Sequence, residues 1–217
     1  GADIVVNSSS KYMNGNSDAI SGVLTWSGKF KWDGERYPSM APYKKFGPMA
    51  YIAKLRNGLF RNMGACLSPQ NAFLNNLGLE TLGLRMERQC ANALELAQYL
   101  DTLEGITVNY PGLPDSPYHE LAKRQLHGGF GAIVTMRTGS KERAFEIINA
   151  LQLPFILSNI GDTKTLVIHP ASTIAVHLSK EDQIQSGVYD DLIRVSVGIE
   201  DVEDLKKDFA NAIGGTR

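Results

Sequence analysis

The chain predicts an α/β fold, and three observations lead there. Short β-branched runs such as Ile4-Val5-Val6 and Leu192–Val197 are bounded by turn residues. Between such runs, apolar residues recur three or four positions apart, as on one face of a helix. Hydroxyl residues stand where helices would begin, at Ser68-Pro69, Ser140 and Ser179.

Each element can be justified in turn. Ile4–Val6 reads as a buried strand and Gly22–Trp26 as a second, closed by Ser27-Gly28. Residues 29–48 mix aromatics, prolines and charges without a steady period, the pattern of a functional loop or subunit contact. Residues 49–62 look helical until Met63-Gly64. From Ser68 a long helical pattern runs to about Leu100, with Leu79, Leu82, Met86, Cys90, Ala93, Ala97 and Leu100 in one apolar stripe and Glu80, Glu87, Arg88, Gln89 and Glu95 mainly off it. Gly78 and Gly83 mark either a break or close packing against a neighbour. Strands follow at 106–110, 132–136, 165–169 and 192–197. Between them lie a helical turn at His119-Glu120, a helix from Ser140 to about Leu151, and a short helix capped by Ser179 with Asp182 as in a capping box. The last helix, from about Val202 to Ile213, puts Val202, Leu205, Phe209 and Ile213 on one face.

Composition narrows the function. Hydrophobic residues are 43% and charged residues 21% of the chain, an ordinary globular balance. A formal net charge of -1 leaves no electrostatic footprint for nucleic acid or an anionic membrane. No apolar run approaches the ~20 residues of a membrane span. Cys66 and Cys90 have no metal-ligand spacing and read as free thiols of a reducing, cytoplasmic compartment. No histidine pair has the spacing of a metal site. No signal peptide is visible, although residue 1 is glycine rather than methionine.

Chemistry concentrates where the first strand ends. Ser8, Ser9 and Ser10 offer hydroxyls and backbone N–H groups beside Lys11, a place that suits a phosphate. A lysine there can form a Schiff base with a pyridoxal phosphate aldehyde, or it can be a solvated surface charge. Ser8 and Lys11 also have the Ser-x-x-Lys spacing of penicillin-binding enzymes, but the Ser-Asp-Asn and Lys-Thr-Gly partners are missing. No Gly-x-x-x-x-Gly-Lys-Ser/Thr phosphate loop occurs. Farther along, alternation in 192–197 puts Ile193, Val195 and Val197 on one face and Arg194 on the other. Arg194 is then either a clamp for a carboxylate or a surface arginine paired with an acid such as Glu200. Asn159 offers an amide to a ligand or makes an Asx turn. Tyr12 and His169 read as packing residues.

Together several stretches resemble one family. Gly-Ala-Asp-Ile-Val-Val-x-Ser-x-Ser-Lys-Tyr at 1–12, Gly-Ala-Cys-Leu-Ser-Pro-x-Asn-Ala-Phe-Leu at 64–74 and Leu-Glu-Thr-Leu-x-Leu-Arg-Met-Glu-Arg at 79–88 carry the first part of the likeness. Asn-Ile-Gly-Asp-x-Lys-Thr-Leu-Val-Ile-His-Pro-Ala-Ser-Thr at 159–173 and Asp-Leu-Ile-Arg-Val-Ser-Val-Gly-Ile-Glu-Asp-Val-Glu-Asp-Leu at 191–205 carry the rest. In order, they resemble the Cys/Met-metabolism family of pyridoxal phosphate (PLP) enzymes, most of all its O-acetylhomoserine sulfhydrylase branch.

The resemblance implies a fold type I PLP-dependent transferase, with residues 1-80 as the C-terminal part of the large PLP-binding domain and 81-217 as the small C-terminal domain. It implies that Lys11 carries the cofactor, that Ser8 and Ser10 hold its phosphate, and that Arg194 and Asn159 receive the substrate carboxylate. The implied reaction gives homocysteine and acetate from O-acetylhomoserine and sulfide, in a cytoplasmic homotetramer. Two departures stand out: Asn7 where relatives have histidine, and Thr-Ile-Ala-Val-His at 173–177 in place of a Thr-Thr-His-Ser-like run. The family's glycine-containing phosphate loop, ring-stacking tyrosine and pyridinium-pairing aspartate precede the lysine and are not found here. The expectation is therefore a chain that is inactive and not stably folded alone, with its N-terminal half supplied by more of the same chain or a second polypeptide. Rival expectations are a γ-lyase or cystathionine γ-synthase of the same family, and a non-catalytic interaction subunit.

Overall fold

The computed structural model describes residues 1–215; Thr216 and Arg217, the end of the expected smaller domain, lie outside the described residues. The first apolar run forms β1 (Ile4–Asn7), which pairs antiparallel with β2 (Val23–Trp26). The expectation of a buried strand is corrected: all four residues of β1 are exposed, Val6 at 72%. β-branched residues favour the extended backbone, but burial needs a second layer, and among the described residues this two-stranded ribbon belongs to no larger sheet.

The irregular segment after β2 gathers around aromatic rings. Trp32 stacks on Tyr51 with centroids 5.6 Å apart, Phe30 lies tilted against it and Tyr37 meets it edge to face. Pro38–Met49 winds as 3-10 turns, α1 (Ala50–Leu55) follows, and a π-helical turn at Arg56–Phe60 leads into α2 (Arg61–Met63), which stops at Gly64.

The long helix expected from 68 to 100 is two helices. Ser68 Oγ accepts the Asn71 N–H at 3.1 Å, and Pro69 opens α3 (Pro69–Glu80). Thr81, at φ −111°, breaks the run before α4 (Leu82–Leu100). Gly78 is a point of close packing, because a Cβ there would stand 2.5 Å from the Met13 carbonyl oxygen. The apolar stripe holds from Cys90 to Leu100 and fails before it. Leu79 is exposed, whereas Arg85 and Gln89 are buried. Arg85, Gln89 and Asn92 make a buried polar stripe whose donors end on backbone carbonyls of other segments, apart from Arg85 Nε, which donates to Thr81 Oγ1. Apolar periodicity cannot reveal such a stripe, since its burial is compensated by hydrogen bonds.

The rest of the chain builds one mixed sheet. The elements are β3 (Thr107–Asn109), α5 (His119–Gln125), β4 (Ile133–Arg137), α6 (Lys141–Ala150), β5 (Phe155–Ile156), β6 (Leu166–Ile168), α7 (Lys180–Gln185), β7 (Leu192–Ser196) and α8 (Val202–Gly214). Ser140, Ser179 and Asp201 cap α6, α7 and α8 through side-chain hydrogen bonds. Strand order is β3-β4-β7-β6-β5, antiparallel except for the β5–β6 pair.

Helices α4, α6 and α8 pack together over this sheet, where Leu96, Ile147 and Phe209 join Val134, Ile193 and Val195 in the core. All six are fully buried, each contributing on the order of 1.5–3 kcal/mol. Alternation along β7 then sends Arg194 and Ser196 to the opposite face. Among the described residues no helix is long and apolar enough to cross a membrane.

Candidate active site

Three segments meet at that opposite face: the turn after β1, the loop between β5 and β6, and β7 itself. The turn is tight. Lys11 N donates to Ser8 O at 3.3 Å, Asn14 N to Ser9 O at 3.0 Å and Gly15 N to Lys11 O at 2.8 Å. Thr163 N, from the β5–β6 loop, donates to Gly15 O at 2.8 Å. From α4, Arg85 reaches Tyr12 O at 2.8 Å, Met13 O at 3.3 Å and Gly78 O at 2.6 Å. The backbone that carries Lys11 is thus fixed from two sides.

The Lys11 amine donates to Asn159 Oδ1, a neutral amide rather than a carboxylate. Asn159 in turn donates from Nδ2 to Ser17 Oγ at 2.6 Å. Its side chain therefore bridges two parts of the chain, which a local Asx turn would not do.

Arg194 sits in β7 between Thr135 of β4 and Ile168 of β6. Its Nη2 donates to Ser158 O at 2.7 Å and Asn159 O at 3.2 Å. Its Nε is buried with no partner among the described residues. Glu200, the acid considered as its partner, instead accepts from the N–H and hydroxyl of Thr165 at 2.5 and 2.8 Å. Burial pulls the Arg194 pKa below its ordinary value, with Tyr12 acting in the opposite direction. A guanidinium hung on two carbonyls, with one buried N–H unsatisfied, is suited to an anionic acceptor.

The three serines of the turn sit in different surroundings. Ser8 is exposed. The Ser10 hydroxyl accepts from Ser21 N at 2.7 Å and donates to Ser21 O at 3.2 Å, so its proton is already engaged. Ser9 is buried and donates to Ser21 Oγ at 2.8 Å; Asn75 Nδ2 of α3 donates to the same oxygen at 2.6 Å.

Tyr12 packs against the core, as expected, and lies under Gly161. Burial raises its pKa, and the Ser196 hydroxyl opposes that rise. Sequence reasoning missed Asp162. Its buried carboxylate accepts from Ser17 Oγ at 2.5 Å across 145 residues. The cluster Asn14-Gly15-Asn16-Ser17-Asp18 signals a turn, but no local pattern points to a partner so distant.

The donor set fits PLP and an amino-acid ligand: a primary amine held by an amide, an exposed serine at the start of its turn, and an arginine with an unsatisfied buried N–H. Comparison with known proteins agrees. The model of the Cys/Met metabolism PLP-dependent enzyme family matches residues 1–214. A homocysteine synthase of Schizosaccharomyces pombe is 42% identical over 98% of this chain and 53% of its own length. A Campylobacter jejuni O-acetylhomoserine (thiol)-lyase structure bearing N'-pyridoxyl-lysine-5'-monophosphate superposes with a TM-score of 0.92 at 33% identity, over 99% of this chain and 54% of that one. The O-acetylhomoserine sulfhydrylase of Wolinella succinogenes, 42% identical, gives 0.83 over 98% of this chain and 57% of that one. The chain spans about half the length of the curated relatives it matches.

Proposed function

Since the chain belongs to the Cys/Met metabolism family of PLP-dependent enzymes, we propose that it serves γ-replacement on O-acetyl-L-homoserine. The Cγ–O bond breaks with acetate leaving, a C–S bond to sulfide forms at the same carbon, and L-homocysteine results. The observation that carries the proposal is the meeting of Lys11, Asn159 and Arg194 through one hydrogen-bonded loop.

Each residue has a role in this reading. Lys11 holds the cofactor, and its amine later takes the substrate Cα proton and returns a proton to the product. Ser8 and Ser10 hold the cofactor phosphate. Arg194 binds the substrate carboxylate through its unpartnered Nε, with Asn159 beside it. When bound, PLP supplies the electron sink for charge developed at Cα.

Residues 1-80 belong to a larger cofactor-binding domain and 81-217 to a smaller one, a division supported by the helix break at Thr81. Further polypeptide completes the pocket, so the isolated chain is inactive. That part of the proposal is supported by the exposed apolar side chains of the first 84 residues, among them Leu59 at 62%, Met63 at 71% and Leu84 at 71%. The assembly is a homotetramer in the cytoplasm.

Product analysis on the protein expressed from its complete gene tests the activity. Homocysteine and acetate formed only with sulfide support it. A 2-oxo acid and ammonia released without sulfide indicate a γ-lyase instead, and cystathionine formed with cysteine indicates the synthase. No product, with no borohydride-trapped pyridoxyl group on Lys11, favours the non-catalytic subunit. Arg194→Lys, which cannot offer a planar fork, raises KM for the amino acid about 10- to 100-fold with a smaller loss in kcat.

A further inference from the structure

We propose that Ser17 and Asp162 are positioning residues that fix which end of the Asn159 amide faces Lys11, an inference that rests on the reading of Lys11 as the cofactor lysine. The argument is a proton count. Asp162 is 3% exposed. Its Oδ1 accepts from Lys164 N at 2.9 Å, Thr163 Oγ1 at 3.2 Å and Lys164 Nζ at 3.4 Å, and its Oδ2 from Ser17 Oγ at 2.5 Å. Burial pushes this carboxyl up, but the Ser17 hydroxyl and the N–H and ammonium of Lys164 outweigh it and hold the group below the ordinary carboxylate range. An ionised carboxylate only accepts.

The single Ser17 proton therefore goes to Asp162, leaving the oxygen lone pair for Asn159 Nδ2 at 2.6 Å. The amide must then turn Oδ1 toward Lys11, where an acceptor is needed for the amine. With the amide reversed, two oxygens would face each other at Ser17 with no proton between them, and two donors would face each other at Lys11.

A second observation supports the arrangement. Among the described residues, Ser17 is the single non-glycine residue with positive φ, at 58°. Serine adopts that conformation at a cost, and strain of this kind collects at functional sites. Ser17 is exposed, so packing does not force it. Its two side-chain hydrogen bonds, to Asp162 and from Asn159, are what the strained backbone makes possible.

The test uses the protein expressed from its complete gene, stripped of cofactor. PLP is added, samples are quenched with borohydride at set times, and the pyridoxyl peptide is mapped, alongside thermal unfolding of the cofactor-free protein. Ser17→Ala and Ser17→Gly both remove the hydroxyl, but only glycine relieves the backbone. Both are expected to slow attachment at Lys11 about tenfold, the rate equivalent of one charge-assisted hydrogen bond. Ser17→Gly is expected to be the more stable of the two. Asp162→Asn, which can donate to Ser17 and so reverse the amide, slows attachment at least as much. Attachment that recovers in Ser17→Gly together with stability, or that is indifferent to all three substitutions, overturns the inference and leaves the role of Lys11 standing. No pyridoxyl group on Lys11 of the unsubstituted protein overturns both.

Discussion

Gly161 lies against the Tyr12 ring so closely that a Cβ at position 161 would stand 2.7 Å from both Tyr12 Cγ and the Tyr12 backbone nitrogen. Its φ of 76° also disfavours any other residue, and its N–H donates to Ser196 Oγ at 2.9 Å. Gly161→Ala combines overpacking with backbone strain and is expected to cost about 2–4 kcal/mol, read by urea unfolding. Tyr12 adjoins Lys11, so the rate of cofactor attachment should fall as well. A variant as stable as the parent would mean that the contact yields easily.

Arg85 supports the same turn from beneath. It is 7% exposed and donates to three carbonyls and to Thr81 Oγ1. Arg85→Met keeps the bulk and strands those acceptors, at an expected cost of about 3 kcal/mol in urea unfolding. Arg85→Lys should recover less than half, because a single ammonium cannot reach partners spread over two directions. Full recovery by lysine would show that charge, not the fork, matters here.

Asp162 makes stability depend on acid pH, and the sign can be worked out. Its folded-state pKa is depressed, so the unfolded chain binds more protons and stability rises with pH. Its contribution is complete above the unfolded value of about 3.9 and is lost as pH falls through the lower folded value. Unfolding of the parent and Asp162→Asn across the acid range should show a constant gap above about pH 5 that closes below about pH 4. A gap that stays open in strong acid would mean that the carboxylate's charge is not what stabilises the fold.

Cys90 is buried in α4, and burial raises its thiol pKa, with a Gly131 backbone hydrogen bond pulling the other way. Both effects of burial, less thiolate and less access, predict silence toward thiol reagents in the native protein. A disulfide reagent followed by peptide mapping should find Cys90 modified only after denaturant is added. Rapid native labelling of Cys90 would indicate local opening of α4.

Local chemistry was readable in the sequence, and long-range polar chemistry was not. Ser68, Ser140 and Ser179 announce their helices because a cap is satisfied within three residues. Arg194 could be assigned to a face because strand alternation fixes direction without knowledge of neighbours. The polar stripe of Arg85, Gln89 and Asn92 was hidden, since each side chain answers carbonyls distant in sequence or buried from view. The break at Thr81 was hidden for a different reason. The two nearby glycines drew attention, yet one is a packing contact and the other has open space around its Cα. The exposure of β1 could not be foreseen from an apolar run, because composition sets the strand and its surroundings set the burial.

That exposed ribbon has a bearing on how the protein behaves in a cell. Two strands offer two outer edges, each a row of backbone donors and acceptors ready to template another strand. With Ile4, Val5 and Val6 exposed, such an edge is an aggregation hazard until a strand or a cover occupies it. Solubility is then the first readout of whether this edge is covered: aggregated protein is expected when it is not, and clear lysate when it is.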